Sequence, residues 1–260
     1  MIDPNPAPGK GQTFQGPKQR KQAWERLGSE QFDVVVVGGG VVGAGAALDA
    51  ATRGLKVALV EARDFASGTS SRSSKMFHGG LRYLEQLEFG LVREALHERE
   101  LSLTTLAPHL VKPLPFLFPL TNRWWERPYV AAGILLYDQL GGAKSVPAQK
   151  HLTRAGALRL SPGLKRSSLI GGIRYYDTVV DDARHTMTVA RTAAQYGAVV
   201  RSSSQVVSLL REGDRVTGVT IRDSEDGAIT EVHGHVVVNA TGVWTDEIQA
   251  LSKELSLIHI

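Results

Sequence analysis

Glycines with a phosphate-binding spacing lie near the start of this 260-residue chain. Gly38, Gly40 and Gly43 follow the pattern G-x-G-x-x-G. In that pattern the first glycine permits a sharp turn, the second lets the backbone approach a pyrophosphate, and the third allows a helix to pack closely on a strand. Glu61 follows about 20 residues later, where a carboxylate can accept hydrogen bonds from the ribose hydroxyls of an adenosine. The same carboxylate would repel a 2′-phosphate, which argues against NADP.

The residues around this glycine turn predict a strand, a turn, a helix and a second strand. Val34–Val37 is a β-branched run typical of a buried parallel strand. The alanine-rich segment Ala44–Ala51 favours a helix that ends at Gly54. A second apolar run, Leu55–Val60, predicts the strand that carries Glu61 at its end. This order of elements indicates a dinucleotide site with the phosphates at the helix N-terminus, and an ordinary structural turn is the alternative.

A polar loop, residues 62–75, leaves the second predicted strand at the same edge of the sheet. Hydroxyl and backbone N–H groups in such a loop can donate hydrogen bonds to phosphate oxygens, and a lysine adds positive charge. We assign cofactor binding to Thr69, Ser70, Ser74 and Lys75. A flexible link is the alternative interpretation. Gly79 and Gly80 follow, and paired glycines let the backbone pass close to a flat ring.

Composition excludes several classes of site and partner. The chain has no cysteine, so disulfides, thiolate metal sites and cysteinyl flavin attachment are excluded, and we predict no metal site. The formal net charge is +4, without a basic stripe interleaved with aromatic residues, so no nucleic-acid partner is predicted. Since 42% of the residues are apolar, the chain can bury a substantial core. We expect no transmembrane span and no secretory signal, because no apolar run is long enough to span a bilayer and no signal-peptide core precedes the first strand.

The rest of the chain predicts a mixture of helices and strands. Residues 1–30 predict a flexible tail, in which residues 18–27 can form a short basic helix that packs Trp24 and Leu27 on the domain. Contact of this helix with a membrane surface or a partner is the alternative. Further helices are predicted at 91–106, 129–140, 152–164 and 181–196, and strands at 111–120, 171–177, 199–210, 215–222, 228–232 and 236–239.

Charged residues and prolines refine these elements. In the helix 91–106 we expect Arg99 to stay in water, opposite the apolar face. The prolines of 111–120 limit that segment to an edge strand or an extended connection. Asp181 and Asp182 suggest acid–base chemistry, but capping is the favoured interpretation because both lie at a helix start.

The segment Thr69–Glu85 resembles the FAD-dependent, quinone-reducing glycerol-3-phosphate dehydrogenases, in which a serine-rich loop ends in S-S-K-x-x-H-G-G-L-R-Y-L-E. The resemblance extends to Gly38–Gly40, to Glu61 and to the segment N-A-T-G-x-W that begins at Asn239, and it covers about residues 32–250. The loop is much more specific than the glycine pattern. It separates this family from related flavoproteins such as D-amino-acid oxidase and sarcosine oxidase.

The resemblance implies an α/β fold with FAD as the cofactor. The fold would be a Rossmann-like FAD-binding domain of the glutathione-reductase/D-amino-acid-oxidase type, with an interleaved, incomplete α+β substrate domain. On this basis residues 31–110 and 181–252 form the FAD-binding domain and residues 111–180 part of the substrate domain. Family members continue well beyond this length, so we expect an N-terminal fragment in which residues 253–260 are a non-native tail.

The family's reaction is the oxidation of sn-glycerol 3-phosphate to dihydroxyacetone phosphate, with hydride transfer to flavin and electrons passed to a quinone. An arginine at the position of Arg82 binds the substrate phosphate, and its fork suits bidentate binding. A surface ion pair with Glu85 is the alternative for Arg82. His78 is the catalytic candidate that polarises the flavin or the substrate oxygen, and a core histidine under the ring is its alternative. Further FAD contacts are implied for Val206, Ala240, Thr241 and Gly242. For the last three, a strand-to-helix turn whose glycine and threonine serve geometry alone is the alternative.

Two other functions stay open from the sequence. One is another FAD-dependent oxidase that acts on an amine or a hydroxy acid, and the other is a truncated flavin-binding fragment without turnover. The resemblance implies a cytoplasmic location with peripheral contact to the membrane. It assigns neither an oligomeric state nor, within this chain, a general base.

Overall fold

A computed structural model describes residues 16–122, 124–140 and 145–252 of the chain. The strands are β1 Gln31–Val37, β2 Val57–Val60, β3 Met76–Phe77, β4 Lys112–Leu120, β5 Lys150–Thr153, β6 Gly171–Val179, β7 Val199–Arg201, β8 Ser204–Glu212, β9 Arg215–Asp223 and β10 Ile229–Asn239. The α-helices are α1 Pro17–Ser29, α2 Val41–Thr52, α3 Phe89–Leu101, α4 Glu126–Leu140, α5 Arg154–Leu160, α6 Asp182–Gln195 and α7 Thr245–Ser252. Among these helices none is both long enough and apolar enough to cross a bilayer.

The described residues form two compact units. Of the described residues, the first unit takes 16–73 and 182–252, and the second lies within Ser74–Asp181, which interrupts the first in sequence. The predicted boundary near residue 110 differs from this division. Residues 74–110 belong to the second unit because their apolar side chains pack there: Val92 and Leu96 of α3 contact Tyr137 of α4 in one buried cluster.

The first unit is built on a six-stranded sheet with the order β7-β2-β1-β10-β9-β8. β7, β2, β1 and the second half of β10 are parallel, and β9 and β8 continue the sheet antiparallel. The predicted strand–turn–helix–strand unit is confirmed as β1, α2 and β2, and Gly54 has the positive φ of +84° that suits a helix end. β8, β9 and the first half of β10 form an antiparallel meander at one side of the parallel strands. Helices pack on both faces of this sheet.

Small side chains let α2 and α6 pack closely on one face of this sheet. Ala44, Ala47 and Ala51 of α2 are buried with Ala190 and Ala193 of α6. Helix α2 therefore lies close to the β-branched strands below it, and its N-terminus is held beside the glycine turn.

Residues 229–239 form one strand, where two were predicted, at 228–232 and 236–239. The first half of β10 pairs antiparallel with β9, and the second half pairs parallel with β1, with His233 in both pairings. The strand changes its partner at His233, and the pattern of apolar residues changes there as well. Because of this change in pattern, the sequence predicted two strands.

Helix α1 covers the other face of the sheet. The predicted basic helix is confirmed, since Pro17–Ser29 is helical and Ala23 and Leu27 are buried in the core with Phe32. The prediction of a flexible tail is wrong for residues 17–29, because the apolar side of this helix packs on the domain. Residues 1–15 and 253–260, which carry the remaining tail predictions, lie outside the described residues.

The second unit is a small mixed structure around β6. β4 pairs antiparallel with β6 along its whole length, and β3 and β5 pair with β6 as well. Among the described strands β4 pairs only with β6, which confirms the predicted edge strand with its prolines. The helix predicted at 152–164 is shorter in the structure, where β5 comes first and α5 ends at Leu160. The helix predicted at 91–106 ends in a π-helical turn, Ser102–Leu106.

Candidate functional site

Three neighbouring strands of the first unit end at one edge of the sheet. β2, β1 and β10 are parallel neighbours, with Val37 paired to Val60 on one side and to Asn239 on the other. Their carboxyl ends are followed directly by Glu61, Gly38 and Ala240. The crevice outside the carboxyl ends of parallel strands is the usual ligand position in α/β sheets.

The glycines of the turn leave no room for side chains. Gly38 has a φ of +110°, and a Cβ atom on it would lie 2.5 Å from the carbonyl oxygen of Ala240. A Cβ atom on Gly43 would lie 1.9 Å from the carbonyl oxygen of Gly38. The turn at Gly38 and the close approach of α2 at Gly43 therefore both require glycine, which agrees with the geometric roles predicted for them.

The Glu61 carboxylate is held at this edge by two backbone groups. The Gly39 N–H donates to Oε2 at 2.6 Å, and the Arg63 N–H donates to Oε1 at 2.8 Å. Each carboxylate oxygen has a further lone pair, so both can still accept hydrogen bonds from ribose hydroxyls. The fixed carboxylate is thus suited to a nucleotide ribose.

The polar loop is brought to the glycine turn through Ser70. The Ser70 Oγ accepts a hydrogen bond from the Val41 N–H at 2.8 Å, in the first turn of α2. A Cβ atom on Gly40 would lie 3.2 Å from the same oxygen. Thr69 is exposed beside it at the start of a short 3-10 helix, Thr69–Ser71. The structure therefore places Ser70 and Thr69 next to the N-terminus of α2, the positive end of a helix, which favours phosphate.

The turn after β10 completes the edge. The Ala240 N–H donates to the Val37 carbonyl at 2.8 Å, and the Thr241 hydroxyl donates to Asn239 Oδ1 at 2.7 Å. Gly242 has a φ of +60° and starts the next helical turn. Two apolar side chains at this edge, Val42 and Val243, are exposed.

Val206 lies near the same edge but contributes its side chain to the core. The Ser204 N–H donates to the Glu61 carbonyl at 2.7 Å, so β8 starts beside Glu61, and Val206 follows two residues later. Its side chain is buried, and the pairing of β8 with β9 is irregular directly after it. Only the backbone of Val206 is therefore available for the predicted adenine contact.

This edge fits the FAD that the sequence implies. Its glycines Gly38 and Gly43 keep the turn tight, because a Cβ atom added to them would collide with neighbouring backbone. The edge also offers a helix N-terminus for phosphate and a fixed carboxylate for a ribose. The residues brought together here are Gly38, Gly40, Gly43, Glu61, Thr69, Ser70, Ala240, Thr241 and Gly242.

The other predicted site residues belong to the second unit. Ser74, Lys75 and His78 are exposed, and Lys75 has a φ of +58° with its carbonyl accepting the Val180 N–H at 2.9 Å. Arg82 lies in the 3-10 helix Leu81–Leu84, and its side chain lies outside the described part of the structure. The exposed His78 stays a candidate for both predicted roles, polarising the flavin or the substrate oxygen and lying under the ring.

The segment between His78 and Arg82 is anchored by a buried polar cluster. The Gly79 N–H donates to Tyr137 Oη at 2.7 Å, and the Tyr137 hydroxyl donates to Asp177 Oδ2 at 2.8 Å. Asp177 Oδ1 accepts from Arg99 Nη1 at 2.9 Å, and the Arg99 and Asp177 side chains are 2% and 5% exposed. α3, α4 and β6 therefore converge on one glycine of the loop.

Sequence reasoning missed this cluster. The prediction that Arg99 stays in water is wrong, because α3 turns this side chain inward to a buried carboxylate. A signal was present: Val92, Leu96 and Arg99 are spaced as one face of a helix, and both apolar members are buried. Nothing in the spacing marks Tyr137 or Asp177 as its partners, since these lie on other elements.

Burial raises the pKa of Tyr137, and the negative charge of Asp177 raises that pKa further. The phenol therefore keeps its proton across the ordinary pH range. It can donate to Asp177 and accept from Gly79 at the same time.

Helix α6 begins at Asp182, one residue after the predicted start, and the Asp182 carboxylate bonds to a backbone N–H and to a side-chain hydroxyl. Asp182 Oδ1 accepts the Ala183 N–H at 3.0 Å, and Oδ2 accepts the Ser73 hydroxyl at 2.5 Å. The carboxylate thus stabilises the start of a helix, where it also meets the positive end of the helix dipole.

Taken together, the parallel sheet, the glycine turn and the ribose-binding acid define a dinucleotide-binding α/β protein. The family model of the FAD dependent oxidoreductases (DAO) matches residues 33–259. The chain belongs to this family, which confirms the expected α/β flavoprotein fold and the expected cofactor, FAD.

Relatives within this family are more specific. The chain is 85% identical over 258 residues to a glycerol-3-phosphate dehydrogenase of Mycobacterium leprae, which covers 98% of this chain and 44% of the relative. It is 43% identical over 248 residues to the mitochondrial glycerol-3-phosphate dehydrogenase of Rattus norvegicus, of which it spans 34%. The glycerol-3-phosphate dehydrogenase of Bacillus halodurans, solved with FAD, matches 93% of this chain and 40% of its own, with a TM-score of 0.70 and 30% identity. The chain therefore spans less than half the length of these relatives.

Proposed function

We propose that this chain serves the FAD-dependent oxidation of sn-glycerol 3-phosphate to dihydroxyacetone phosphate, with a quinone as the electron acceptor. The observation that carries the proposal is the 85% identity to the glycerol-3-phosphate dehydrogenase of M. leprae over 98% of the chain. The loop sequence from Ser73 to Glu85, which resembles that of glycerol-3-phosphate dehydrogenases more specifically than the glycine pattern does, supports the same activity. The site geometry supports the cofactor, because the glycine turn and Glu61 are arranged for an adenosine diphosphate.

The two units divide the work in this proposal. The first unit binds FAD, with the pyrophosphate at Gly40, Ser70 and the first turn of α2, and the adenosine ribose at Glu61. The second unit forms part of the substrate domain. A bound FAD would supply the acceptor for the hydride of the substrate's C2.

Charged and polar residues of the second unit bind and orient the substrate. Arg82 binds the phosphate through two parallel N–H···O hydrogen bonds, which a lysine cannot reproduce. His78 is exposed on the loop before it and can donate a hydrogen bond to the substrate oxygen. Ser74 and Lys75 add donors and positive charge for the cofactor phosphates.

The quinone and the cellular location belong to the same proposal. A quinone is dissolved in the membrane, so an enzyme that reduces it needs contact with a membrane surface. Trp124, Trp125 and Tyr129 at the start of α4 are strongly exposed, with 89% of Trp124 accessible. Exposed tryptophan and tyrosine suit a membrane–water interface. We propose a cytoplasmic protein that touches the membrane peripherally through such residues.

The test is an anaerobic visible spectrum of the FAD-loaded protein before and after addition of sn-glycerol 3-phosphate. We expect the oxidised flavin absorption to bleach on addition. The longer M. leprae relative, tested in parallel, is the matched control. Bleaching of the relative but not of this chain would contradict turnover by this chain and place essential substrate groups outside it. Bleaching of neither, but by an amine or hydroxy acid with hydrogen peroxide formed in air, would support the oxidase alternative.

A further inference from the structure

We propose that Tyr137 is a positioning residue for the loop that runs from His78 to Arg82. Its hydroxyl binds the Gly79 N–H and thereby holds the loop in one conformation. This inference rests on the proposed function only for its consequence on catalysis, since the hydrogen bond itself is independent of any substrate.

The hydroxyl of Tyr137 both accepts and donates a hydrogen bond. It accepts from the Gly79 N–H at 2.7 Å and donates to Asp177 Oδ2 at 2.8 Å. If the phenol only needed a partner for its own burial, Asp177 alone would be sufficient. The second bond instead supplies a buried backbone N–H that would otherwise lose its partner.

The acceptor is itself held rigidly. Asp177 receives the Tyr137 hydroxyl on one oxygen and Arg99 Nη1 on the other. The Arg99 guanidinium also lies over the Tyr137 ring, with 5.8 Å between its Cζ atom and the ring centroid. A buried, charge-assisted network of this kind fixes the position of the phenol oxygen.

Packing around Gly79 leaves the loop little freedom to adapt. A Cβ atom on Gly79 would lie 2.3 Å from Leu96 Cδ2 and 2.7 Å from Tyr137 Oη. The next residue, Gly80, has a φ of +70°, and its carbonyl accepts the Tyr83 N–H at 2.8 Å. The anchored glycine is thus joined through one hydrogen-bonded turn to the 3-10 helix that contains Arg82.

Loss of the hydroxyl should therefore loosen the loop without emptying the core. Tyr137→Phe keeps the ring but removes both hydrogen bonds. The matched control is Tyr175→Phe, which removes a hydroxyl from a half-buried tyrosine of β6 that stacks on Phe116 at 5.4 Å. Both variants are compared as FAD-loaded proteins with the unchanged chain.

The first measurement is amide hydrogen exchange in peptides that cover residues 77–84. We expect roughly tenfold faster exchange at Gly79 in Tyr137→Phe, which corresponds to the loss of one hydrogen bond to a buried group, and no change in Tyr175→Phe. Unchanged exchange at this segment in Tyr137→Phe would overturn the proposal. Faster exchange throughout the second unit would also overturn it, because the hydroxyl would then serve general stability.

The second measurement is the KM for sn-glycerol 3-phosphate and the affinity for FAD. In Tyr137→Phe we expect the KM to rise about tenfold, with the Kd for FAD within twofold of the unchanged chain. An unchanged KM together with faster local exchange would overturn the positioning role. If the unchanged protein is not reduced by sn-glycerol 3-phosphate, the proposed function fails, and the exchange measurement alone decides whether Tyr137 holds the loop.

Discussion

Arginines at two positions of this chain neutralise different anions, one inside the protein and one on the substrate. Arg99 is buried and neutralises Asp177, so its removal would leave a carboxylate without its cation inside the second unit. Arg82, in the proposed function, neutralises a charge that arrives with the substrate. A guanidinium suits both tasks because its fork matches a carboxylate and a phosphate equally well.

The phosphate-binding role of Arg82 predicts a change in substrate binding. Arg82→Ala should lower kcat/KM for sn-glycerol 3-phosphate roughly 30- to 150-fold, because about 2–3 kcal/mol of charge-assisted hydrogen bonding is lost. Arg82→Lys should recover part of this loss, since it restores the charge but not the fork. The measurement is steady-state kinetics of the holoenzyme.

Glycerol, which lacks the phosphate, is the control substrate for the Arg82 variants. Any oxidation of glycerol should change little in Arg82→Ala, because no phosphate is present to bind. An unchanged kcat/KM for sn-glycerol 3-phosphate would exclude the anchor and favour the ion pair with Glu85.

Sequence spacing predicted the site residues whose positions follow from backbone geometry. Gly38 and Gly43 were predictable because no other residue fits 2.5 Å and 1.9 Å from a carbonyl oxygen. Glu61 was predictable because the length of one βαβ unit fixes its distance along the chain. The partnership of Arg99 with Tyr137 and Asp177 was not predictable, because it joins three elements whose mutual arrangement depends on tertiary packing.

Helix α1 is attached to the first unit by charge as well as by apolar packing. Arg20 bonds Asp223 Oδ1 of β9 at 3.1 Å and the Ser202 carbonyl at 2.8 Å. Asp223 also binds Arg201 of β7, whose guanidinium lies 4.3 Å from the centroid of the Trp24 ring. One buried carboxylate thus connects a helix with two separate strands.

The environment of Asp223 predicts a pH dependence of stability. Burial alone would raise the pKa of Asp223, but hydrogen bonds from Arg201 and the Glu225 backbone, with the charges of Arg201 and Arg20, lower that pKa below its usual value. A lowered pKa stabilises the folded state above the unfolded pKa of about 4 and loses this effect as the pH falls through the folded pKa.

Asp223→Asn should therefore lower the free energy of unfolding by about 3 kcal/mol at neutral pH, where it takes the neutralising carboxylate away from the buried Arg201. The difference from the unchanged chain should shrink as the pH falls below about 4. Urea unfolding over this pH range measures it, with Asp214→Asn in the exposed turn after β8 as control. A difference that stays constant down to the lowest pH would show that the charge of Asp223 is not its cause.

The periodicity of apolar residues predicted where helices and strands lie better than it predicted which elements contact one another. The helix in 18–27 and the packing of its Trp24 and Leu27 on the domain were predicted from the pattern. The ion pair of Arg20 with Asp223 was not, because these residues lie about 200 positions apart in the chain. β10 was predicted as two strands for the same reason: a pattern shows which residues are buried, not which strand buries them.

The whole molecule is organised by the interruption of one unit by the other. The ends of the second unit lie together, since the Lys75 carbonyl accepts the Val180 N–H at 2.9 Å and Ser73 bonds to Asp182. The first unit also has cores of its own on both sides of its sheet. A unit with its own core and with neighbouring points of interruption can in general fold without the inserted segment.

Two deletions follow from this organisation. Replacing residues 76–179 with a short Gly/Ser linker joins Lys75 to Val180, whose backbones are already hydrogen-bonded. This variant should fold and bind FAD with a Kd within about threefold of the chain, because it retains every residue of the proposed cofactor site. Replacing residues 74–181 joins Ser73 to Asp182 and removes Ser74 and Lys75 as well.

The comparison of the two deletions isolates Ser74 and Lys75. The shorter variant should bind FAD about tenfold more weakly than the longer one, since a lysine charge and a hydroxyl donor to the phosphates are lost while the linker is otherwise the same. Fluorescence titration with FAD measures both affinities, and circular dichroism shows whether each variant is folded. Equal affinities would remove Ser74 and Lys75 from the cofactor site. If both variants are folded but neither binds FAD, the second unit must itself supply cofactor contacts, because the glycine turn, Glu61 and Ser70 are present in each.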